Sequence, residues 1–251
     1  MSIVNLNIPA SWQQLSQPQL RRALQLYGLY ADTPQWQHHV RVAFFLFVTR
    51  GSIIRHTNDG FLCSFPKNVS PVPVLIADDK LPAVLAPLSF LDAPEKISVR
   101  LDKAAGRQAV DFELRTLPFG QYLMAENFYQ SFLATEAPAA LEGLASVLYP
   151  GDDTARFAPE EVLGSFLWYG AAKVILAQWF PHFFRPVEGS SSDSSPITRE
   201  SLFASTQAQI RLLTGGDVTK QPVVLDNTDT WTALAELDAQ AHIAEKLKNI
   251  K

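Results

Sequence analysis

The side chains that come nearest to chemistry in this sequence are its five histidines, its single cysteine and two close pairs of acids. His38, His39, His56, His182 and His242 are scattered, and their sequence neighbours offer no convincing acid partner. His38 and His39 are adjacent, and adjacent residues of a helix point about 100° apart, which makes them a poor metal pair. Cys63 with His56 could act as nucleophile and base, although a lone cysteine commonly serves as a small buried apolar group. Asp111 and Glu113 alternate along an expected strand, which would place two carboxylates on one face. Asp152 and Asp153 follow Gly151 without the spacing of an EF-hand loop and read as a solvated turn. The sequence holds no Gly-x-Ser-x-Gly elbow, phosphate-binding glycine loop, dinucleotide fingerprint or His-Glu-x-x-His pair. No catalytic, cofactor-binding or metal-ligating residue is therefore assigned, and the expectation is a protein that is not an enzyme.

Composition narrows the class. At 47% hydrophobic and 18% charged residues, the 251-residue chain can build a real core in one large domain or two small ones. A net charge of −4 gives no electrostatic reason to expect nucleic acid as a partner. With Cys63 as its only cysteine, the chain can form no intrachain disulfide and no thiolate zinc site, which fits a reducing cytoplasm. The start, MSIVNLNIPASW, does not pair a basic segment with an apolar core, so no signal peptide is expected. The longest apolar run, about Val40–Val48, is far too short for a membrane.

The elements that must position any site are mostly helical. Gln121–Pro150 reads as two amphipathic helices joined at Thr135–Pro138. Tyr122, Ala125, Tyr129, Phe132 and Leu133 recur at steps of three or four in the first, and Leu141, Leu144, Ala145 and Leu148 in the second. Such a hairpin cannot bury its own rings, so it is either covered by the rest of the chain or left as a groove for a partner helix. Ile3–Ile8 alternates as a short strand would. Helices are expected from Ser16-Gln-Pro18, with Leu20, Leu24 and Tyr27 on one face, and from Asp32-Thr33-Pro34 through Phe44 and Phe47 to Arg50. Residues 51–117 read as a small β-containing insertion, with a hairpin at Asn58-Asp59-Gly60 and strands at Ile97–Leu101 and Ala109–Phe112. A long aromatic helix starts at Ala158-Pro-Glu160-Glu161 and ends before Pro181.

The fold class is thus mostly α with a small β-containing insertion, a helical bundle built around an αα-hairpin. It is divided as a helical domain over 1–187, a linker over 188–197 and a C-terminal helical segment over 198–251. Glu188–Pro196 is small, polar and turn-rich. Thr198–Leu213 is a helix with Leu202, Phe203, Ile210 and Leu213, capped by Gly215 and Gly216. Val218–Leu225 reads as extended. The last helix, Trp231–Lys248, carries Trp231, Leu234, Leu237, Ala241 and Leu247 as candidate partner-binding residues. Their narrow stripe suits docking to another chain and folding back onto its own domain equally well.

Three stretches, IPASWQQLSQPQLRRAL, NFYQSFLATEAPAALEGLASVLYP and IRLLTGGDVTKQPVVLDNTDTWTALAELDAQA, together resemble uncharacterised prophage-encoded proteins of Bacteroidetes-type bacteria associated with tail-assembly chaperones. The similarity covers roughly half of the chain. It implies a cytoplasmic helical protein that acts in phage tail assembly without cofactors. Such a protein would hold an aggregation-prone partner, such as a tape-measure protein, and stay out of the finished particle. The alternatives are a structural virion component, such as a connector or tail-completion protein, and an enzyme of unrecognised class. A deep pocket with converging His, Asp or Glu would mark the last.

Overall fold

Several helices in this chain begin with a proline or a capping side chain in the first turn. The computed structural model describes residues 7–66, 71–151, 155–185 and 198–249. Most of the strand expected at Ile3–Ile8, the Asp152 and Asp153 pair and the linker expected at Glu188–Pro196 lie outside the described residues. The chain forms two compact units, 1–101 and 102–251, and the helical segment from 198 belongs to the second.

In the first unit, α1 (Gln17–Tyr30) opens on a capping arrangement in which the Ser16 N–H donates to Gln19 at 2.9 Å, with Pro18 in the first turn. It buries Leu20, Leu24 and Tyr27, as their spacing predicts. α2 (Trp36–Thr49) packs on it and buries Val40, Phe44 and Phe45, while Phe47 stays 40% exposed. Three antiparallel strands follow in chain order: β1 (Ser52–Thr57), β2 (Gly60–Phe65) and β3 (Val72–Ala77). Asn58 and Asp59 make the first turn, where the hairpin was expected. A bulge at Ile54 breaks the register between the Ile53–Cys63 and Arg55–Leu62 pairs, and Pro73 of β3 stands opposite Ser64. α3 (Leu81–Leu85) and two 3-10 turns complete this unit, burying Leu88 and Leu91. The Tyr27 hydroxyl donates to the Leu91 carbonyl at 2.7 Å.

No strand forms at Ile97–Leu101, at the end of the first unit, or at Ala109–Phe112; the second unit instead opens with two-residue strands, β4 (Lys103–Ala104) and β5 (Arg107–Gln108). Ala105 and Gly106 between them both take positive φ, 48° and 77°, so the tight turn fixes pairing to its immediate flanks. Residues 111–116 then turn about Asp111. Its carboxylate accepts from the backbone N–H groups of Glu113, Arg115 and Thr116 at 3.0–3.1 Å. Asp111 and Glu113 therefore form no carboxylate pair on a strand, and Glu113 holds Arg115 at 2.7 Å instead.

The predicted hairpin is α4 (Phe119–Thr135) and α5 (Pro138–Leu148), packed against each other with Pro138 in the first turn of α5. Tyr122, Ala125, Leu144, Ala145 and Leu148 are buried, but Leu133 is half exposed and lies off the inner face. Gly143 lets the two helices close: a Cβ built there would meet the Phe128 ring at 2.5 Å. α6 (Pro159–Trp179) covers α5 and buries Trp168, Tyr169 and Leu176. Glu161 in its first turn accepts from the Ala158 N–H at 2.9 Å and from the Ala105 N–H at 3.1 Å, tying the β4–β5 turn to the helix N-terminus. α7 (Arg199–Thr214) is capped by Thr198 and ends at Gly215 with φ 62°.

Val218–Leu225, read as extended from its β-branched residues, is instead a 3-10 turn at Val218–Lys220 and a π-type turn at Val223–Asn227. Tertiary contact overrides propensity here. The Leu225 carbonyl lies 2.9 Å from where a Gly120 Cβ would stand, and the Phe119 N–H donates to the Thr228 carbonyl at 2.9 Å. α8 (Thr230–Asn249) follows and packs on α7 and α4. Among the described residues no helix is long and apolar enough to cross a membrane.

Candidate functional site

The five residues singled out on the last helix divide along its length. Leu234 and Leu237 are buried in the packing of α8 on its own unit. Trp231 is half-buried against Trp179 and Phe180 at the end of α6, with ring centroids at 5.6 and 5.3 Å. Its indole N–H donates to the Glu113 carbonyl at 2.8 Å. Ala241 is half-buried and Leu247 is 61% exposed. The first two turns of the helix thus fold back on the unit, and only the far turns offer apolar side chains, Ile243 and Leu247, to solvent.

A groove runs along the seam where α7 lies on α4. It encloses about 600 Å³ lined by the apolar side chains of Phe128, Ala134, Leu202 and Phe203 and by the polar ones of Asn127, Ser131, Thr135, Thr206 and Gln207. Asn127 and Thr206 approach within 3.4 Å, and beyond them a second hollow of about 390 Å³ continues past Leu123, Met124 and Ile210. Phe203 is 64% exposed and Met124 46%. Thr206, Ile210 and Leu202 follow the spacing that put α7 on α4, while Phe203 falls off that stripe and stands at the groove.

Folding also assembles ionisable groups that sequence spacing hides. Pro181 ends α6, and the turn after it is pinned to α8 by Asp238, whose carboxylate accepts from the His182 and Phe183 N–H groups at 2.7 and 2.9 Å. His182 Nδ1 then lies 3.3 Å from Glu245 Oε2, and the His182 and His242 rings face each other with centroids 4.0 Å apart. Arg185 pairs with the other oxygen of Glu245. Burial pushes the Glu245 carboxyl up, but hydrogen bonds from His182 and Arg185 and their charges outweigh it and hold the group below its ordinary range. These residues, with Pro181 and Lys246, line an open hollow of about 450 Å³. His242 and Glu245 share one face of α8 at i, i+3 spacing, the one sequence signal for this cluster. His182 stands 63 positions before Glu245 and carries no local hint. Among the described residues, none that lines the hollow carries a hydroxyl or thiol nucleophile.

A third polar group joins α4 to α6. Glu126 accepts from the Lys173 ammonium and from Gln130 on one oxygen and from the Tyr169 hydroxyl at 3.0 Å on the other. Burial, and then the Glu126 charge, raise the Tyr122 and Tyr169 phenols well above their usual range. Both stay protonated, and the Tyr169 O–H is a permanent donor. The remaining candidates stay apart. His56 faces Phe61 across the β1–β2 ladder and Cys63 faces Ile53, so the two sit on different rungs. Burial pushes the Cys63 thiol up, away from the thiolate a nucleophile needs. His39 turns to Thr33 at 3.3 Å and away from a shared ligand with His38.

The fold and site define a two-unit, mostly helical protein with an apolar groove on one seam and a histidine–carboxylate cluster where α8 meets the end of α6. Comparison with protein-family models, with curated proteins and with solved structures returns no match.

Proposed function

We propose that this chain is a non-enzymatic protein-binding factor that receives an amphipathic helical segment of another protein in the groove between α4 and α7. The carrying observation is the pairing of apolar side chains, Phe128, Ala134, Leu202 and Phe203, with polar ones, Asn127, Ser131, Thr135, Thr206 and Gln207, along one groove. A helix laid in such a groove buries its apolar stripe and keeps its polar face wet. Exposed Phe203 is the natural anchor, because aromatic residues dominate binding energy where they become desolvated. The setting, chaperone-like holding of a tape-measure or other tail protein during phage or prophage tail assembly in the cytoplasm, is supported by the sequence resemblance alone.

The test is co-expression with a coiled-coil-rich tail protein from the same gene cluster, followed by size-exclusion chromatography. The reading expects a co-eluting complex that Phe203→Asp abolishes while circular dichroism of the variant stays unchanged. Absence of a complex, or one indifferent to Phe203→Asp, overturns it. Recovery of the chain in purified particles would replace the chaperone role with that of a virion component.

A further inference from the structure

We propose that His182, His242 and Glu245 form a binding site for a divalent transition-metal ion, with Zn²⁺ as the reference, that fastens the far turns of α8 to the segment leaving α6. The proposal is independent of the groove and of any partner protein. One ligand atom from each residue can be chosen so that all lie within 4.8 Å of one another. Bonds of about 2.0–2.2 Å to nitrogen and oxygen require that triangle to contract and the two rings to turn their nitrogens toward a common point.

Two features show that the arrangement is held and has spare donor capacity. The turn bearing His182 is clamped by Asp238 through two backbone N–H groups, so His182 is placed against α8 before any ion arrives. His242 Nδ1 is shut away from solvent and has no hydrogen-bond partner, an unusual state for a buried ring nitrogen. An ion reached through either nitrogen of that ring would fix its tautomer, and ligation at Nδ1 would satisfy the stranded atom directly.

The surrounding charges select the kind of ion. Arg185 occupies one oxygen of Glu245 and leaves the other for the metal, orienting the carboxylate as an outer partner does in metal centres. Arg185 and Lys246 both add positive charge to the hollow, which opposes hard cations that rely on several carboxylate oxygens. Two imidazoles with one carboxylate suit zinc, nickel or copper. A fourth position opens to the hollow, so water completes the set.

The experiment uses the full-length chain without a polyhistidine tag, stripped with chelator and titrated with Zn²⁺ in a calorimeter. Co²⁺ absorption in the visible serves as a second probe. One ion should bind per chain. His242→Ala and His182→Ala should each weaken binding at least tenfold and abolish the cobalt spectrum, and Glu245→Gln should weaken it less. Ca²⁺ and Mg²⁺ should not compete. His39→Ala, at the other histidine pair, should change nothing. Circular dichroism of each variant separates lost ligation from lost folding, and Glu245→Gln preserves size and shape if the alanine variants unfold. Zn²⁺ binding unaltered by both histidine substitutions, or lost only with His39→Ala, overturns the proposal, as does a wild-type chain that takes up no Zn²⁺.

Discussion

The guanidinium of Arg115 lies 3.8 Å from the centre of the Trp231 ring, and the Trp231 indole N–H donates to the carbonyl of Glu113, whose carboxylate in turn holds Arg115. Two residues of the 111–116 loop, Glu113 and Arg115, thus lock the first turn of α8. Trp231→Ala removes ring contacts with Trp179 and Phe180 as well, and should lower unfolding free energy by about 3 kcal/mol, as for other large aromatic truncations. Arg115→Ala, which removes a cation over a partly exposed ring, should cost about 0.5–1 kcal/mol. Urea denaturation followed by tryptophan fluorescence distinguishes the two. Equal effects would mean that Trp231 packs no better than its cation does.

Gly143→Ala poses two opposing terms. In an isolated helix alanine gains about 1 kcal/mol over glycine. Here the new methyl meets the Phe128 ring, and overpacking costs about 1–3 kcal/mol. Net destabilisation is expected in the wild-type background. In a Phe128→Ala background the clash is gone and the same substitution should stabilise. A thermal-melt double-mutant cycle that shows no coupling would refute close packing at this crossing.

Asp111 carries the pH prediction. Burial raises its carboxyl, but hydrogen bonds from the backbone of Thr116, Arg115 and Glu113 and from the Thr116 hydroxyl outweigh it, leaving the group below its ordinary value. A depressed folded pKa contributes stability that is present above the unfolded value of about 3.9 and is lost as pH falls through the folded one. Asp111→Asn should therefore cost roughly 1 kcal/mol at neutral pH, modest because the carboxylate is partly solvated. Near pH 2–3 the gap between variant and parent should close. Unfolding curves across pH 2–7 supply the comparison, and a constant gap would contradict it.

Glu126→Gln removes the charge that balances the Lys173 ammonium between α4 and α6 and leaves one amide oxygen to accept where Lys173 and the Tyr169 hydroxyl each have a carboxylate oxygen. Breaking a largely buried pair costs about 3 kcal/mol because a charge is left behind. The double replacement Glu126→Gln with Lys173→Met should cost less than Glu126→Gln alone. Chemical denaturation of the set decides this, and simple additivity would show that the ion pair is incidental.

Periodicity and proline placement made the helices legible. Pro18, Pro138 and Pro159 mark true starts, and Tyr122, Leu144 and Trp168 lie where helical spacing and aromatic content put the core. Long-range pairing was not legible. Val223 and Val224 carry strand propensity, yet the turn is dictated by Leu225 on Gly120, a contact across about a hundred positions. Sequence reading groups Phe203 with Leu202, Ile210 and Leu213 on α7, but the position of α4 selects the stripe of Leu202, Thr206 and Ile210 and leaves Phe203 exposed. The histidine–carboxylate cluster went unread: His242 and Glu245 stand one turn apart on α8, but that spacing alone does not mark a site. The third member arrives through Pro181, which stops α6 in time to turn His182 toward α8.

The bulge at Ile54 and the proline at position 73 sit on the two outermost strands of the meander. Ile53, Ile54 and Leu75 there are about half exposed, a combination that would ordinarily invite strand addition from a neighbouring molecule. A kinked outer ladder on one side and a missing amide donor on the other spoil the template at both rims. Both features disfavour the in-register addition of a further copy at either rim, where the apolar side chains would otherwise reward it.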